Sequence, residues 1–272
     1  MNVFDHQYAA YYDALYRDKD YQGEADFVST LLRKHGARRG SLLDLGCGTA
    51  MHAGILAESF QEVVGVDLSI RMLAMAEARR ARMPRRIARR LSLQPGDIRT
   101  VRLRRRFDAV LALFHVLSYQ LDNDDLLAAL KTTALHAHEE SLIFLDFWHG
   151  PGVLTDRPAT RVKRIDSPER TISRIAVPEL FPNRNAVVVR YDVTVIEKEE
   201  EKFYQFNEEH RMRYLFRPEL EFLCNQAGME ILEFGEWMTA AEPTLNTWAA
   251  YLIARPRRAS SRKKRPARAA SS

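Results

Sequence analysis

At 272 residues, 46% hydrophobic and 28% charged, the chain can bury one sizeable α/β core and one smaller appended unit. No apolar run reaches membrane-spanning length, and the first six residues offer neither the basic nor the apolar region of a secretion signal. Two cysteines, Cys47 and Cys224, make no disulfide framework and point to reduced thiols in a cytoplasmic protein. The net charge of +5 sits mostly in residues 79–90, in Arg104–Arg106 and in a tail from Arg255 onward; without that tail the rest is near neutral. The tail has no apolar side chain beyond alanine, so it reads as a disordered solubilising end, and nucleic acid is not the expected partner.

In chain order, the first feature is a tyrosine-rich stretch with Tyr8, Tyr11, Tyr12, Tyr16 and Tyr21. Tyr8, Tyr12 and Tyr16 recur at i, i+4 and i+8, which predicts a helix with three rings on one face. Such a stripe can simply pack onto a domain, but buried phenols also need hydrogen-bond partners, which suits a lid over a polar ligand. Residues 23–34 predict an amphipathic helix with Phe27, Leu31 and Leu32 inward and Gly36 at its end.

Residues 41–50 read Ser-Leu-Leu-Asp-Leu-Gly-Cys-Gly-Thr-Ala, a buried strand that ends in a glycine turn. Gly46 and Gly48 let the backbone bend and let a ligand lie against it, and Asp44 offers an acceptor for an ammonium group. A second apolar strand, residues 62–67, closes on Asp67, whose carboxylate can take both hydroxyls of a ribose. With a helix from near Ala50 between them, the unit is β-α-β with a nucleoside-cofactor site at the carboxyl edge. A dinucleotide does not fit: the third glycine of its pattern is Ala50, and Asp44 would repel a pyrophosphate.

Ser69 predicts the cap of a helix running to Ala81, and Pro84 ends it before a solvated arginine connection. Residues 90–94 predict a third strand, followed by Gly96, Asp97 and Ile98, where Asp97 either caps its own turn or faces a ligand. Residues 107–114 form a continuous apolar strand, as burial on both faces demands. At its carboxyl end stand His115 and Tyr119, where the crevice rule places substrate chemistry; neutral His115 can accept a proton, although a histidine in that place also serves structural duty. A helix opens at Asn123. The strand over residues 141–147 brings Asp146, Trp148 and His149 to the same edge, a grip for a cationic or sugar-like substrate.

From Pro151 the pattern changes to β-branched, aromatic segments at 161–165, 170–177, 186–196 and 203–216, read as antiparallel strands, with 197–202 a solvated hairpin. A helix from Arg217 to Gly228 and strands at 229–234 and 247–254 close the sheet. The expected organisation is a lid over residues 1–22, a nucleoside-binding core over 23–151, a β insertion over 152–216, the rest of the core over 217–254 and a basic tail over 255–272.

Residues 44–49 together with 66–73 resemble the class I S-adenosylmethionine-dependent methyltransferases. A finer similarity, to the sugar N-methyltransferases acting on nucleotide-linked amino sugars, is carried by Tyr12–Tyr16 with Lys19–Tyr21, by residues 107–114 and by Thr171–Arg174. The resemblance implies an α/β fold, a doubly wound and mostly parallel Rossmann-like sheet with the antiparallel β unit inserted over the active-site crevice. It implies S-adenosyl-L-methionine as cofactor and methyl transfer to a nitrogen or oxygen of a small polar acceptor. Asp44 and the turn Gly46-Cys47-Gly48 then face the methionine end, Asp67 the ribose and Asp97 the adenine, and Tyr12, Tyr21, His52, Leu68, Met72, Gly96, Ile98 and Leu113 complete the cofactor site. Tyr16, Phe114, His115, Asp146 and Trp148 bound the acceptor, while Ser173 and Arg174 reach its diphosphate. Where those enzymes carry a histidine beside the sugar amine this chain has Tyr119, and His115 stands where they have a small residue, so both are candidate catalytic groups.

Two other readings compete: a methyltransferase for some other small metabolite, and an RNA-binding or RNA-modifying protein that uses the basic tail. His136 and His138 lack a third ligand at metal-binding spacing, and no serine or cysteine sits in a nucleophile elbow, so neither a metal site nor a hydrolase is expected. A homodimer is left open.

Overall fold

The structure, a computed structural model, describes residues 6–257, with side chains from Ala9 onward. The first residues of the expected lid, the Tyr8 ring and the tail beyond residue 257 lie outside the described residues. The elements, in order, are α1 (His6–Leu15), α2 (Tyr21–Lys34), β1 (Ser41–Leu45), α3 (Met51–Leu56), β2 (Glu62–Asp67), α4 (Ile70–Ala81), α5 (Arg85–Ala88), β3 (Leu91–Pro95), β4 (Phe107–Ala112), α6 (Asn123–Leu135) and β5 (Ala137–Trp148). They continue as α7 (Gly150–Thr155), β6 (Arg161–Asp166), β7 (Arg170–Phe181), β8 (Ala186–Glu197), β9 (Lys202–Arg213), α8 (Arg217–Gln226), β10 (Met229–Glu236) and β11 (Ala249–Pro256).

Seven strands form the main sheet in the order β10-β11-β5-β4-β1-β2-β3. Strands β1 to β5 run parallel, while β11 is antiparallel to both β5 and β10. The chain leaves β1 outward through β2 and β3, then returns to lay β4 on the other flank of β1. That reversal opens a crevice between the carboxyl ends of β1 and β4, where loops on the two sides part.

Alternation along each strand divides the core in two. Leu43, Leu45, Val110 and Ile143 face α6 and α8, while Leu42, Val63, Leu111 and Phe144 face α2 and α3. These strands read as unbroken apolar runs because both faces of the sheet are covered. On α2, Val28, Leu31 and Leu32 are buried at helical spacing, and Phe27 stays half-buried against the ring of Trp237. Ser69 caps α4 by accepting a hydrogen bond from the Met72 N–H at 3.3 Å.

The four remaining strands form an antiparallel sheet in the order β6-β7-β8-β9. Its inner face carries Ile172, Val193 and Val195, which pack on Ala9, Tyr12 and Leu15 of α1 and Met72 of α4. Through α1 the second sheet therefore lies over the crevice of the first.

Three local departures have physical causes. Strand β4 stops at Ala112, because Phe114 and His115 turn left-handed at φ of 65° and 63°. Strand β5 begins earlier than its apolar run, at Ala137, where Ser141 Oγ accepts from the His138 N–H and donates to the Phe107 carbonyl. The arginine stretch is more than a solvated connection: Ile87 is buried in α5, and the Arg90 guanidinium donates to the carbonyls of Ala57, Glu58 and Phe60 after α3. His136 is fixed in one neutral form, its Nδ1–H donating to the Thr132 carbonyl at 2.8 Å and its Nε2 accepting from the Leu103 N–H at 3.0 Å. Among the described residues no group of three or more His, Cys, Asp or Glu side chains is arranged to hold a metal, and no helix is long and apolar enough to cross a membrane.

Candidate active site

The turn after β1 is built from its two glycines. Gly46 takes φ +80°, its N–H and that of Cys47 both donate to the Val66 carbonyl, and a Cβ on it would stand 2.5 Å from Val116. Gly48, at φ +55°, has open space where its Cβ would be. One glycine is required by packing and the other leaves room for a ligand. Ala50 follows in the left-handed region at φ 58° as the cap residue of α3.

Asp44 lies under this turn, 2% exposed, and its Oδ1 has no hydrogen-bond partner. Burial pushes its carboxyl up to about 7; His52 opposes the rise, and the nearby Asp67 and Asp146 carboxylates add to it. A buried carboxylate oxygen without a partner is costly unless a cationic donor arrives. Asp44 lines a small recess of about 30 Å³ together with Tyr21, Cys47 and His52. There His52 Nε2 lies 2.7 Å from Glu24, which Lys19 also contacts, and the Tyr21 ring meets His52 edge-on. Burial raises the Cys47 thiol, leaving it unreactive.

The recess shares Tyr12, Gly46, Gly48, Leu113 and Phe114 with a cavity of about 480 Å³. At one end of that cavity Asp67 accepts the Gly48 N–H and the Ser69 N–H, one on each oxygen, both at 2.8 Å. Each oxygen keeps a lone pair for a further donor such as a sugar hydroxyl. Leu68, Met72, Gly96, Asp97 and Ile98 line the same end. Asp97 does both things its sequence context allows, since it lines the cavity and also accepts the Arg99 N–H at 2.8 Å. The Arg99 guanidinium grips that carboxylate through two nitrogens, which holds it below the usual carboxylate range.

The other end is built where β4 exits. Asp146, 1% exposed, accepts the His115 N–H at 3.0 Å, and its second oxygen lies 3.2 Å from His115 Nδ1 without an aligned hydrogen bond. Asp146 thus stands behind His115 and does not line the cavity itself. Successive left-handed residues at Phe114 and His115 are strained, and this anchor holds them. Tyr16, Phe114, His115, Tyr119 and Trp148 all line this end. Tyr16 packs edge-on against Phe114, and Lys19 sits 4.2 Å above the Phe114 ring centre.

The expected pair on β7 separates. Ile172 packs inward beside α1, and Arg174, two residues on, donates to the Tyr16 hydroxyl at 3.2 Å and lies over the Tyr191 ring. Ser173 belongs to the opposite face by strand alternation, so the two do not converge on one diphosphate. Neither is among the residues lining the cavity, and Arg174 contacts Tyr16 and Tyr191, which are.

Sequence reading missed several groups. Tyr191 and Met212 on the second sheet, and Val116, Gln120 and Arg99 in turns beyond the carboxyl edge of the first, line the cavity. His210 meets the Tyr119 hydroxyl at 2.8 Å. The glycine turn is also tied to α1, since the Thr49 hydroxyl donates to Asp13 at 2.8 Å and Arg79 pairs with the same carboxylate while donating to the Thr49 carbonyl. Only the Asp97-x-Arg99 spacing was visible as a local signal.

A profile described as "Methyltransferase domain" matches residues 42–138, the span from β1 to the start of β5. A dTDP-3-amino-3,6-dideoxy-alpha-D-glucopyranose N,N-dimethyltransferase of Streptomyces fradiae is 30% identical over 226 residues, 82% of this chain and 84% of that protein. The chain belongs to the sugar N-methyltransferase family. A dTDP-3-amino-3,4,6-trideoxy-alpha-D-glucopyranose N,N-dimethyltransferase of Streptomyces venezuelae is 28% identical over 232 residues, covering 84% of this methyltransferase and 92% of its own length. The crystal structure of Streptomyces venezuelae DesVI superposes with a TM-score of 0.77 at 24% identity, covering 93% of this methyltransferase and all of that chain, which shows the shared fold. The methyltransferase uses S-adenosylmethionine, and the residues present fit it: the unpartnered Asp44 oxygen awaits an ammonium, and Asp67 retains the acceptors for a ribose. When bound, the cofactor supplies a methyl group activated on a sulfonium.

Proposed function

We propose that this methyltransferase N-methylates the amino group of a nucleotide-linked amino sugar. The observation that carries the reading is a cavity walled at one end by phenols and histidine, Tyr16, Tyr119, Tyr191 and His115, and joined through shared residues to a recess that holds the unpartnered Asp44 carboxylate. The acceptors in the names of its two dTDP-amino-sugar relatives support the same substrate class.

In this reading Asp44 and the Gly46–Gly48 turn, with Cys47, Tyr21 and His52, hold the methionine part. Asp67 holds the ribose, and Asp97 with Gly96, Ile98, Leu68 and Met72 holds the adenine. Tyr12, Tyr16, Leu113 and Phe114 separate water from the transfer line, and Trp148 walls the acceptor. An amine attacks through its own lone pair once neutral, so the chain has to orient it and receive a proton, a task His115 backed by Asp146 can perform. Arg174 faces the acceptor side through Tyr16 and Tyr191, and Ser173 has no part.

The domain division belongs to the same proposal: residues 23–151 and 217–254 form the cofactor core, and 1–22 and 152–216 two covers, a split supported by the packing of α1 between the sheets. Two buried free cysteines support a reducing compartment, the cytoplasm.

The His115–Asp146 pair favours a second reading, O-methylation, because a hydroxyl needs a real base where a neutral amine does not. The test is transfer of labelled methyl to dTDP-3-amino-3,6-dideoxyglucose and to its 3-hydroxy counterpart, read by mass spectrometry. Product from the amine alone supports N-methylation; product from the hydroxyl alone overturns it. Calorimetry with S-adenosylmethionine on Asp67→Ala tests the cofactor site separately, and equal affinity in both proteins removes the ribose assignment.

A further inference from the structure

Tyr119 ends the 3-10 turn Val116–Tyr119 that follows β4, and its ring lines the acceptor end of the cavity. Its hydroxyl lies 2.8 Å from Nδ1 of His210, a residue of β9 that is 3% exposed. The insertion thus delivers a buried histidine to the back of a cavity phenol. The direction of that hydrogen bond decides what the phenol offers a substrate. A hydroxyl has one proton, so if it goes backward to histidine, only acceptor lone pairs face the cavity.

The groups around His210 favour one direction. The Glu208 carboxylate lies 3.9 Å from Nε2, the Tyr191 ring centre 4.8 Å from the imidazole centre, and the Arg174 charge bears on the ring. Burial, helped by Arg174, pushes the imidazole down to about 3, so it is neutral and carries one ring proton. A proton on Nε2 faces the Glu208 carboxylate favourably, whereas a lone pair there would be repelled. The Glu208 charge thus favours Nδ1 as the acceptor and Tyr119 as the donor.

We propose that His210 is a positioning residue: its Nδ1 takes the Tyr119 hydroxyl proton, so the phenolic oxygen faces the cavity only as an acceptor and holds an N–H of the amine being methylated. The substrate half of this inference rests on the amino-sugar reading; the Tyr119–His210 arrangement does not. A primary amine gives one N–H to Tyr119 and keeps its lone pair for the incoming methyl. A secondary amine still has one N–H to give. A tertiary amine has none, so transfer ends at the N,N-dimethyl product.

The arrangement is tested without any acceptor by nitrogen NMR on protein labelled at histidine and saturated with S-adenosylmethionine. The expected His210 spectrum has an unprotonated, hydrogen-bonded Nδ1 that shifts in Tyr119→Phe; a protonated Nδ1 overturns the proposal. Kinetics with dTDP-3-amino-3,6-dideoxyglucose test the consequence. His210→Leu should raise KM about 10-fold, the worth of one hydrogen bond, with cofactor affinity unchanged. His210→Asn, whose amide oxygen can take the same proton, should recover most of that loss. The double variant with Tyr119→Phe should be no worse than Tyr119→Phe alone. Additive losses, or a folded His210→Asn as impaired as His210→Leu, overturn it. If the wild-type enzyme binds cofactor but leaves this amine untouched, the amino-sugar reading fails, and the NMR result still decides the Tyr119–His210 arrangement.

Discussion

The Asp146 carboxylate accepts the backbone N–H of His115 at 3.0 Å, and so holds the second of two successive left-handed residues at the end of β4. One buried side chain thereby anchors the strained backbone and places a carboxylate behind the ring at the acceptor end. Asp146→Asn keeps an acceptor and removes the charge behind the imidazole. It should fold normally and lose on the order of 10-fold in kcat, measured at saturating cofactor. Asp146→Ala leaves the strained turn without its anchor and should lower stability by about 1–3 kcal/mol in urea titrations.

Asp44 gives the cofactor-free protein a pH signature. Its folded carboxyl stands at about 7, above the ordinary range, so the native state keeps a proton that the unfolded state releases. Stability of the cofactor-free protein should therefore fall as pH rises from about 4 to 7, and Asp44→Asn should be the more stable protein above that window, by about 1–3 kcal/mol. Cofactor affinity runs the other way. Asp44 must be ionised to take an ammonium, so affinity should drop up to about 10-fold for each pH unit below 7 in the wild type and show no such slope in Asp44→Asn. Thermal melts and calorimetry at pH 5.5 and 8 read both.

The two glycines of the turn should fail differently when replaced by alanine. Gly46→Ala drives a methyl against Val116 at 2.5 Å and should destabilise the fold by about 1–3 kcal/mol. Gly48→Ala meets no protein atom within 4 Å; it carries only the strain of its positive φ, about 1 kcal/mol, and puts its methyl where a ligand would lie. Its main loss should be cofactor affinity, seen by calorimetry on a protein with a near-normal melting temperature.

Asp13 ties α1 to the glycine turn through Thr49 and to α4 through Arg79. Asp13→Ala should weaken cofactor binding by about 3- to 10-fold, chiefly by faster release, and leave the core's stability within about 0.5 kcal/mol. Stopped-flow displacement of bound cofactor separates the off-rate from the on-rate.

The cofactor end was readable in the sequence because its parts are local. Asp44, Gly46 and Gly48 sit within five residues, and Asp67 closes the next strand of the same β-α-β unit. The acceptor end was only half readable, since its phenols and histidine come together through strand pairing. Tyr191 stands opposite Glu208 and Val189 opposite His210, a register set by a hairpin that has no local signature of the site. Ser173 and Arg174 show the converse case. The period of two along a strand already separates neighbours onto opposite faces, and assigning both to one phosphate group overlooked it.

Helix α1 is fastened on two sides. Asp13 holds it to the cofactor turn, while Tyr11, and Tyr16 just past its end, bond to Glu197 and Arg174 of the second sheet. Whatever displaces the cofactor turn therefore pulls on the same helix that carries the second sheet.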